Sequence, residues 1–171
     1  MRFGVGIPTG AEGMYVPSHF TDPKEIIEAT KLSKRLGFYS VWGADFFTPS
    51  PAMGIEDKNS PQFYEVLVTL AYLSSITTHI KLGAGTITLP LRDPVLLAKQ
   101  VATLDVISNG RLLLAVGLGA YRDQFEMVRP RKVKAHRATM MLESLEALHL
   151  LLAEDHVSFN GKYHEFRDVS L

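Results

Sequence analysis

Four short apolar segments, each followed by a helical pattern, recur along this 171-residue chain, and that alternation limits the fold more than any other feature. The segments are Arg2 to Pro8 (RFGVGIP), Tyr39 to Gly43 (YSVWG), Ile80 to Leu89 (IKLGAGTITL) and Arg111 to Gly117 (RLLLAVG). None alternates strictly between apolar and polar residues, which is how parallel strands covered on both faces read. Their starts near residues 2, 39, 80 and 111 differ by 37, 41 and 31 residues. Such separations suit right-handed βα crossovers of roughly 30 residues or more.

The helices between the strands announce their own starts. Asp22-Pro23, Ser60-Pro61 and Asp93-Pro94 each place a capping side chain before a proline at the first helical position. In the first helix Ile26, Ala29, Ser33 and Leu36 recur at spacings of three and four, and Gly37 ends it. Leu97, Val101 and Leu104 repeat the pattern in the third helix, which closes at Ser108-Asn109-Gly110, and Leu142, Leu145, Leu148 and Leu152 line the fourth. After it, Val157 to Phe159, Asn160-Gly161 and Lys162 to Phe166 read as a β-hairpin, with Asn-Gly supplying two positive φ angles. The expected fold is α/β: one domain over 1–171, made of four parallel βα units (1–153) and an appended hairpin (154–171). A closed (β/α)₈ TIM barrel takes about 250 residues, so these units amount to its N-terminal half. Strands 1 and 4 then present edges that need cover, from another copy, from a separate C-terminal half, or from the hairpin folding back.

Charge and composition narrow the function. Eighteen basic residues balance eighteen acidic ones, so no positive field recruits nucleic acid or an anionic membrane surface. The longest apolar runs, such as Leu112 to Leu118, fall short of the roughly 20 residues a membrane span needs, and no basic leader precedes the first strand. Zero cysteines exclude disulfides, thiolate metal sites and a cysteine nucleophile, and fit a reducing compartment, so a cytoplasmic location is expected.

Parallel α/β folds gather function in the loops after the carboxyl ends of the strands. Here residues 9 to 21, 44 to 60 and 118 to about 134 make long loops at that end, while the returns at Gly37-Phe38 and Asn109-Gly110 are tight. Gly4-Val-Gly6, Gly83-Ala-Gly85 and Gly117-Leu-Gly119 all fail to complete G-x-G-x-x-G, which leaves close approach of a neighbouring backbone or ligand as their use. His19, His79, His136, His149, His156 and His164 form no close metal pair, and His149 reads as a helix-surface residue, so no metal site is expected. No G-x-S-x-G, P-loop or zinc pattern occurs. Asp45, beside Trp42, Phe46 and Phe47, is either a turn cap or a functional carboxylate among aromatics. The basic run Arg129-Pro-Arg131-Lys132-Val-Lys134-Ala-His136-Arg137 opposes the dipole at the start of the fourth helix, and it is either a solvated face or a receiver of phosphate groups.

Several segments, taken in order, resemble the N-terminal half of the flavin-dependent luciferase-like monooxygenase family. They are Arg2 to Pro8, Gly37 to Asp45, Ile80 to Pro90, Asp93 to Gln100, Thr103 to Arg111 and Gly161 to Phe166, and together they span nearly the whole chain. The resemblance implies a (β/α)₈ barrel, usually dimeric, that binds FMN, or in one branch a 5-deazaflavin coenzyme, at the carboxyl ends of its strands. By position it implies a cofactor-binding set of Gly85, Thr86, Gly119 and Tyr121, with a non-prolyl cis peptide between Gly85 and Thr86. It implies Asp45 and Tyr121 as the catalytic pair, facing one pocket with Thr86 between them. Phe46 stands where the family often has histidine, and Leu118 where luciferases place an arginine, which argues against luciferase-type proton transfer. The family's main phosphate-binding residues belong to the other half of the barrel.

The expected activity is that of an oxidoreductase in which reduced FMN and O₂ oxygenate a small organic substrate. A flavin reductase would be its source of reductant. One alternative is deazaflavin-dependent hydride transfer on the same fold. The other is a cofactor-free fragment or assembly subunit, with the 171-residue chain inactive until the barrel is complete.

Overall fold

The computed structural model describes residues 1–10, 21–54 and 63–171. Its elements are β1 (Gly4–Gly6), α1 (Pro23–Arg35), β2 (Ser40–Gly43), α2 (Val66–Ser75), β3 (Lys81–Thr88), α3 (Pro94–Ile107), β4 (Leu112–Gly117), α4 (Arg122–Val128), α5 (Arg137–Ala153), β5 (Val157–Asn160) and β6 (Glu165–Val169). The first four strands form one sheet in the order β1-β2-β3-β4. All three pairings are parallel, with Val5 opposite Val41, Val41 opposite Leu82 and Leu82 opposite Leu112. β1 and β4 are the sheet's edges, and β5 pairs only with β6, so the hairpin does not cover either edge.

Asp22 accepts a hydrogen bond from Lys24 N at 2.8 Å, and Asp93 accepts from Val95 N and Leu96 N at 3.0 Å each, so both Asp-Pro starts cap their helices. Ser60-Pro61 and His19 lie outside the described residues. α2 starts at Val66, where the Glu65 carboxylate accepts from Val68 N at 2.6 Å. The turns at Gly37, Asn109 and Gly110 carry positive φ, as tight returns between a helix and the next strand require.

Between sheet and helices lies the core, built from Val41, Leu82, Ala84 and Ile87 on the strands, Leu67, Leu70 and Leu73 on α2, and Leu97, Val101 and Leu104 on α3. Two expected helix faces shift. Leu36 is exposed beyond the end of α1, and on α5 Leu142, Leu145 and Leu152 are exposed while Met140, Ser144, Ala147, Leu148 and Leu151 are buried. α5 packs against α3 and the hairpin together, and that double contact turns it away from the leucine stripe. The loop after β4 also contains a helix of its own, α4, so the basic run precedes α5 and spans a short 3₁₀ turn, Pro130–Lys132. His136 caps α5. The cations bond carbonyls: Arg129 Nη2 donates to Leu91 O at 2.9 Å, Lys132 Nζ to Tyr163 O at 3.2 Å and Arg137 Nη1 to Gly119 O at 3.3 Å.

At the plain end of the sheet Arg111 is buried, and burial pushes its guanidinium down from its ordinary value. It donates to Ser108 O, Thr77 Oγ1, Ile80 O and Ser74 O at 2.6 to 3.2 Å, tying α2, β3 and the end of α3 together.

The hairpin forms by a different device from the expected one. Neither Asn160 nor Gly161 has positive φ; Asn160 pairs with Glu165, and Gly161 N donates to His164 O at 2.9 Å across a four-residue connection. The Glu143 carboxylate of α5 reaches into that connection and accepts from Lys162 N, Tyr163 N and His164 N at 3.0, 2.7 and 2.6 Å. A Cβ at position 161 would collide with this carboxylate, so glycine serves close approach here.

Two outcomes follow for the hairpin. Glu143→Ala strands three N–H donors and should lower stability by about 2–3 kcal/mol, measured by urea unfolding, with faster amide exchange at 162 to 164. His164 is buried and sits near Lys132, and both effects hold it below its ordinary value, with Arg129 adding to them against the opposing pull of Glu143 and Asp93. The folded state therefore disfavours the proton, and the unfolded chain binds it more readily. Stability is full above the ordinary value of 6.5 and falls as pH drops below it. Between pH 7 and pH 5 the urea midpoint of the wild type should drop more steeply than that of His164→Gln.

Candidate active site at the carboxyl ends of the strands

Opposite the core, the sheet has a concave face almost stripped of side chains. Strand alternation puts Gly4, Gly6, Trp42, Gly83, Gly85 and Gly117 on it. The Trp42 indole lies across the strands: a Cβ at Gly83 or Gly85 would run into its six-membered ring, and one at Gly4 into its Nε1. The G-x-G pairs of β1 and β3 thus make room for an indole, which the Ser40 hydroxyl holds by accepting from Nε1 at 2.9 Å. Gly6 differs, because nothing lies within 4 Å of where its Cβ would stand, and the residue is exposed.

Toward the carboxyl ends the peptide between Gly85 and Thr86 is cis, at the point where the β3–β4 register shifts. Thr86 is exposed, and its hydroxyl stands 2.8 Å from the Cβ position of Gly117. Gly119 has φ +84, and its Cβ position lies 2.6 Å from the Thr88 methyl, so the backbone after β4 rests directly on β3. Tyr121, which opens α4, is half-buried with its ring 6.5 Å from Phe46; Phe46 in turn meets Phe63 edge-on at 5.6 Å. Gly85, Thr86, Gly119 and Tyr121 therefore lie on neighbouring segments at one end of the sheet.

Asp45 is placed otherwise. Its carboxylate is buried and turned toward α3, not toward Tyr121. Oδ2 accepts from Thr88 N at 2.9 Å and from Arg92 Nε at 3.3 Å, and Oδ1 accepts from Arg92 Nη2 at 2.5 Å. Arg92 Nη2 also meets Glu65 Oε1 at 2.7 Å, and the guanidinium lies 5.1 Å from the Phe47 ring centre. Burial pushes Arg92 down, but the hydrogen bonds and charges of Asp45 and Glu65 outweigh it, so the guanidinium stays above its ordinary value. Both oxygens of Asp45 are occupied by Thr88 N and the Arg92 guanidinium.

Arg92 and Glu65 carried no motif in the sequence and emerge only from the fold. The same holds for Asp123, which joins the loops after β2 and β4. Its carboxylate accepts from Ser50 Oγ at 2.5 Å, and this hydroxyl, helped by Ala52 N and Gln124 N, holds it below the usual carboxylate range despite partial burial. Gln124 Nε2 adds a bond to Thr48 O at 2.7 Å. Among the described residues no group of three His, Asp or Glu side chains is arranged to hold a metal ion, and no helix is long and apolar enough to cross a membrane. A flat cofactor ring would meet open backbone at Gly6 and the exposed Thr86 hydroxyl at this end of the sheet, while Trp42 covers Gly83 and Gly85 and Thr88 lies against Gly119.

Comparison with known proteins gives the same outline. The family described as luciferase-like monooxygenase matches residues 1–171. The oxygenase component of a flavin-dependent trigonelline monooxygenase from Acinetobacter baylyi is 29% identical over 142 residues, covering 83% of this chain and 37% of that protein. An F420-dependent glucose-6-phosphate dehydrogenase from Amycolatopsis mediterranei is 26% identical over 151 residues, covering 87% of this chain and 44% of its own length. The FMN complex of the oxygenating constituent of 3,6-diketocamphane monooxygenase, from a Pseudomonas putida plasmid, superposes with a TM-score of 0.80 at 20% identity, over 99% of this chain and 44% of that one. The chain thus spans less than half the length of these relatives, which use FMN or F420.

The geometry of Asp45 leads to a stability effect instead of a selective loss of turnover. Asp45→Leu leaves a buried guanidinium short of its main partner and should cost about 3–5 kcal/mol. The double change Asp45→Leu with Arg92→Met should cost less than Asp45→Leu alone, as read from thermal and urea unfolding.

Proposed function

Because this chain belongs to the luciferase-like monooxygenase family, we propose that it forms one wall of the flavin site of an oxidoreductase, a monooxygenase that uses reduced FMN and O₂ on a small organic substrate. The observation behind this reading is the concave end of the sheet, where Gly6 is open, Thr86 is exposed and Gly119 lets the backbone after β4 lie flat on β3. Bound there in its reduced form, the flavin supplies the electrons that activate O₂.

The chain's own residues do the rest by position. Gly85-Thr86 and Gly119 offer backbone and hydroxyl groups to the ring edge, while Phe46 and Tyr121 wall the site with aromatic surface that excludes water. Asp45 and Arg92 fix the end of β3 through Thr88 N and so hold Thr86 in register. The chain spans less than half the length of those relatives, so the remaining wall comes from residues beyond these βα units, whether in a second copy or in a C-terminal half. Reductant comes from a separate flavin reductase, a reading supported by the relative named as an oxygenase component. The likeness to an F420-dependent dehydrogenase supports a second reading, hydride transfer with a deazaflavin on the same face.

Titration of the purified chain with FMN and, separately, with F420, followed by fluorescence, tests these readings. Saturable FMN binding that is weakened at least about tenfold by Gly6→Leu, with unfolding unchanged, is expected. Preference for F420 moves the assignment to hydride transfer. A folded chain that binds neither favours the alternative of a cofactor-free fragment or assembly subunit.

A further inference from the structure

A cavity of about 390 Å³ lies away from the concave face, between the start of α3, the turn Pro130–Lys132 and the hairpin. None of Gly85, Thr86, Gly119 or Tyr121 lines it. Its size falls within the range of small-molecule pockets, roughly 300–1,000 Å³. One side is apolar, formed by Pro94, Val95, Phe166 and Val169, and the other bears Arg129, Lys132 and His164.

The charges on that polar side are not balanced. Arg92 is matched by Asp45 and Glu65 and Glu165 pairs with Arg167, while Asp93, which caps α3 through Oδ1 and keeps its charge, is one carboxylate against the two cations Arg129 and Lys132. Among the described residues neither Arg129 nor Lys132 has a carboxylate partner, and each donates only to a backbone carbonyl. Arg129 Nε is buried with no hydrogen-bond partner at all, a state that costs about 1–3 kcal/mol or more for a charged group unless something accepts from it.

His164 adds a third donor. Ser144 Oγ donates to Met140 O at 2.8 Å, so it accepts from His164 Nε2 at 2.8 Å, which fixes the hydrogen on Nε2. Among the described residues no hydrogen bond reaches Nδ1 of His164, a residue 9% exposed that lines the cavity. The charges of Lys132, Arg129, Glu143 and Asp93 all bear on this ring. We propose that the cavity binds a small oxyanion-bearing molecule, whose phosphate or carboxylate head group accepts from Arg129 and Lys132 and, once protonated, from His164 Nδ1, while its apolar part rests on Pro94, Val95, Phe166 and Val169. Binding takes up a proton at His164, so affinity rises as pH falls from 8 to 6.

The site is independent of the flavin reading, and its test contains no flavin. The purified chain is titrated with inorganic phosphate and with benzoate while the His164 ring nitrogens and the Arg129 Nε signal are followed by ¹⁵N NMR. Saturable shifts at both residues are expected, with affinity lowered at least about tenfold by Arg129→Gln and by Lys132→Gln in spectra that stay dispersed. Benzoate binding should also tighten toward pH 6 in the wild type and lose that dependence in His164→Gln. Benzoate alone identifies a carboxylate ligand, and phosphate alone a phosphorylated one. Absence of saturable shifts at the two residues, or an affinity untouched by both substitutions, overturns the proposal.

Discussion

The carboxyl end of this sheet depends on one buried cation. Arg92, just ahead of α3, meets Asp45 from the end of β2 and Glu65 from the start of α2, while Asp45 also takes the amide of Thr88 at the end of β3. Removing such charges from water costs several kcal/mol per ion. The cost is offset only because the guanidinium engages Asp45 through two nitrogens, Glu65 accepts from the same guanidinium and Thr88 N donates to the Asp45 carboxylate. The alternative to this arrangement is an uncompensated charge, so the β2–α2 and β3–α3 connections are held in one relative position. Precision at Gly85-Thr86 is inherited from that constraint, since Thr88 is two residues further along the same strand.

The two faces of the sheet answer to different requirements. Toward the helices the strands present Val41, Leu82, Ala84 and Ile87, all fully buried, and this face accounts for cohesion. Toward the other side they present glycines, Ser40, Thr86, Leu113 and one indole, and the indole fills the room that Gly4, Gly83 and Gly85 leave. A sheet meant only to be stable would fill that second face with branched side chains, as the layered interiors of closed barrels do. Glycine at 83 and 85 is therefore linked to Trp42, and a larger residue at either would displace the indole before it affected the core.

Much of the scaffold was legible because its signals are local. Asp-Pro before a helix, positive φ at Asn109 and Gly110, and the 3.6-residue stripe of α3 each act within a few residues, so pattern and structure agree. What escaped is decided by partners distant in sequence. The buried stripe of α5 follows from simultaneous packing on α3 and the hairpin; the hairpin turn is shaped by Glu143, about 20 residues before it, rather than by its own Asn-Gly pair. Asp45 was conspicuous as an acid among aromatics, yet its role is set by Arg92, 47 residues away, a residue with no local signature. The cis Gly85-Thr86 peptide was accessible only through family resemblance, because no spacing or propensity encodes it.

The two buried arginines show how the fold separates stability from chemistry. Arg111, at the plain end, is satisfied wholly by carbonyls and a hydroxyl from three segments, a neutral cage that leaves the charge uncancelled and no carboxylate beside it. Arg92, at the elaborated end, is neutralised by two acids. One guanidinium against two carboxylates leaves this knot with one net negative charge and no free cation. Two cations without a carboxylate partner among the described residues, Arg129 and Lys132, lie beside the hairpin. Substitutions at Arg129 and Lys132, whose side chains bond only Leu91 O and Tyr163 O, are therefore expected to leave the glycine-lined face unchanged.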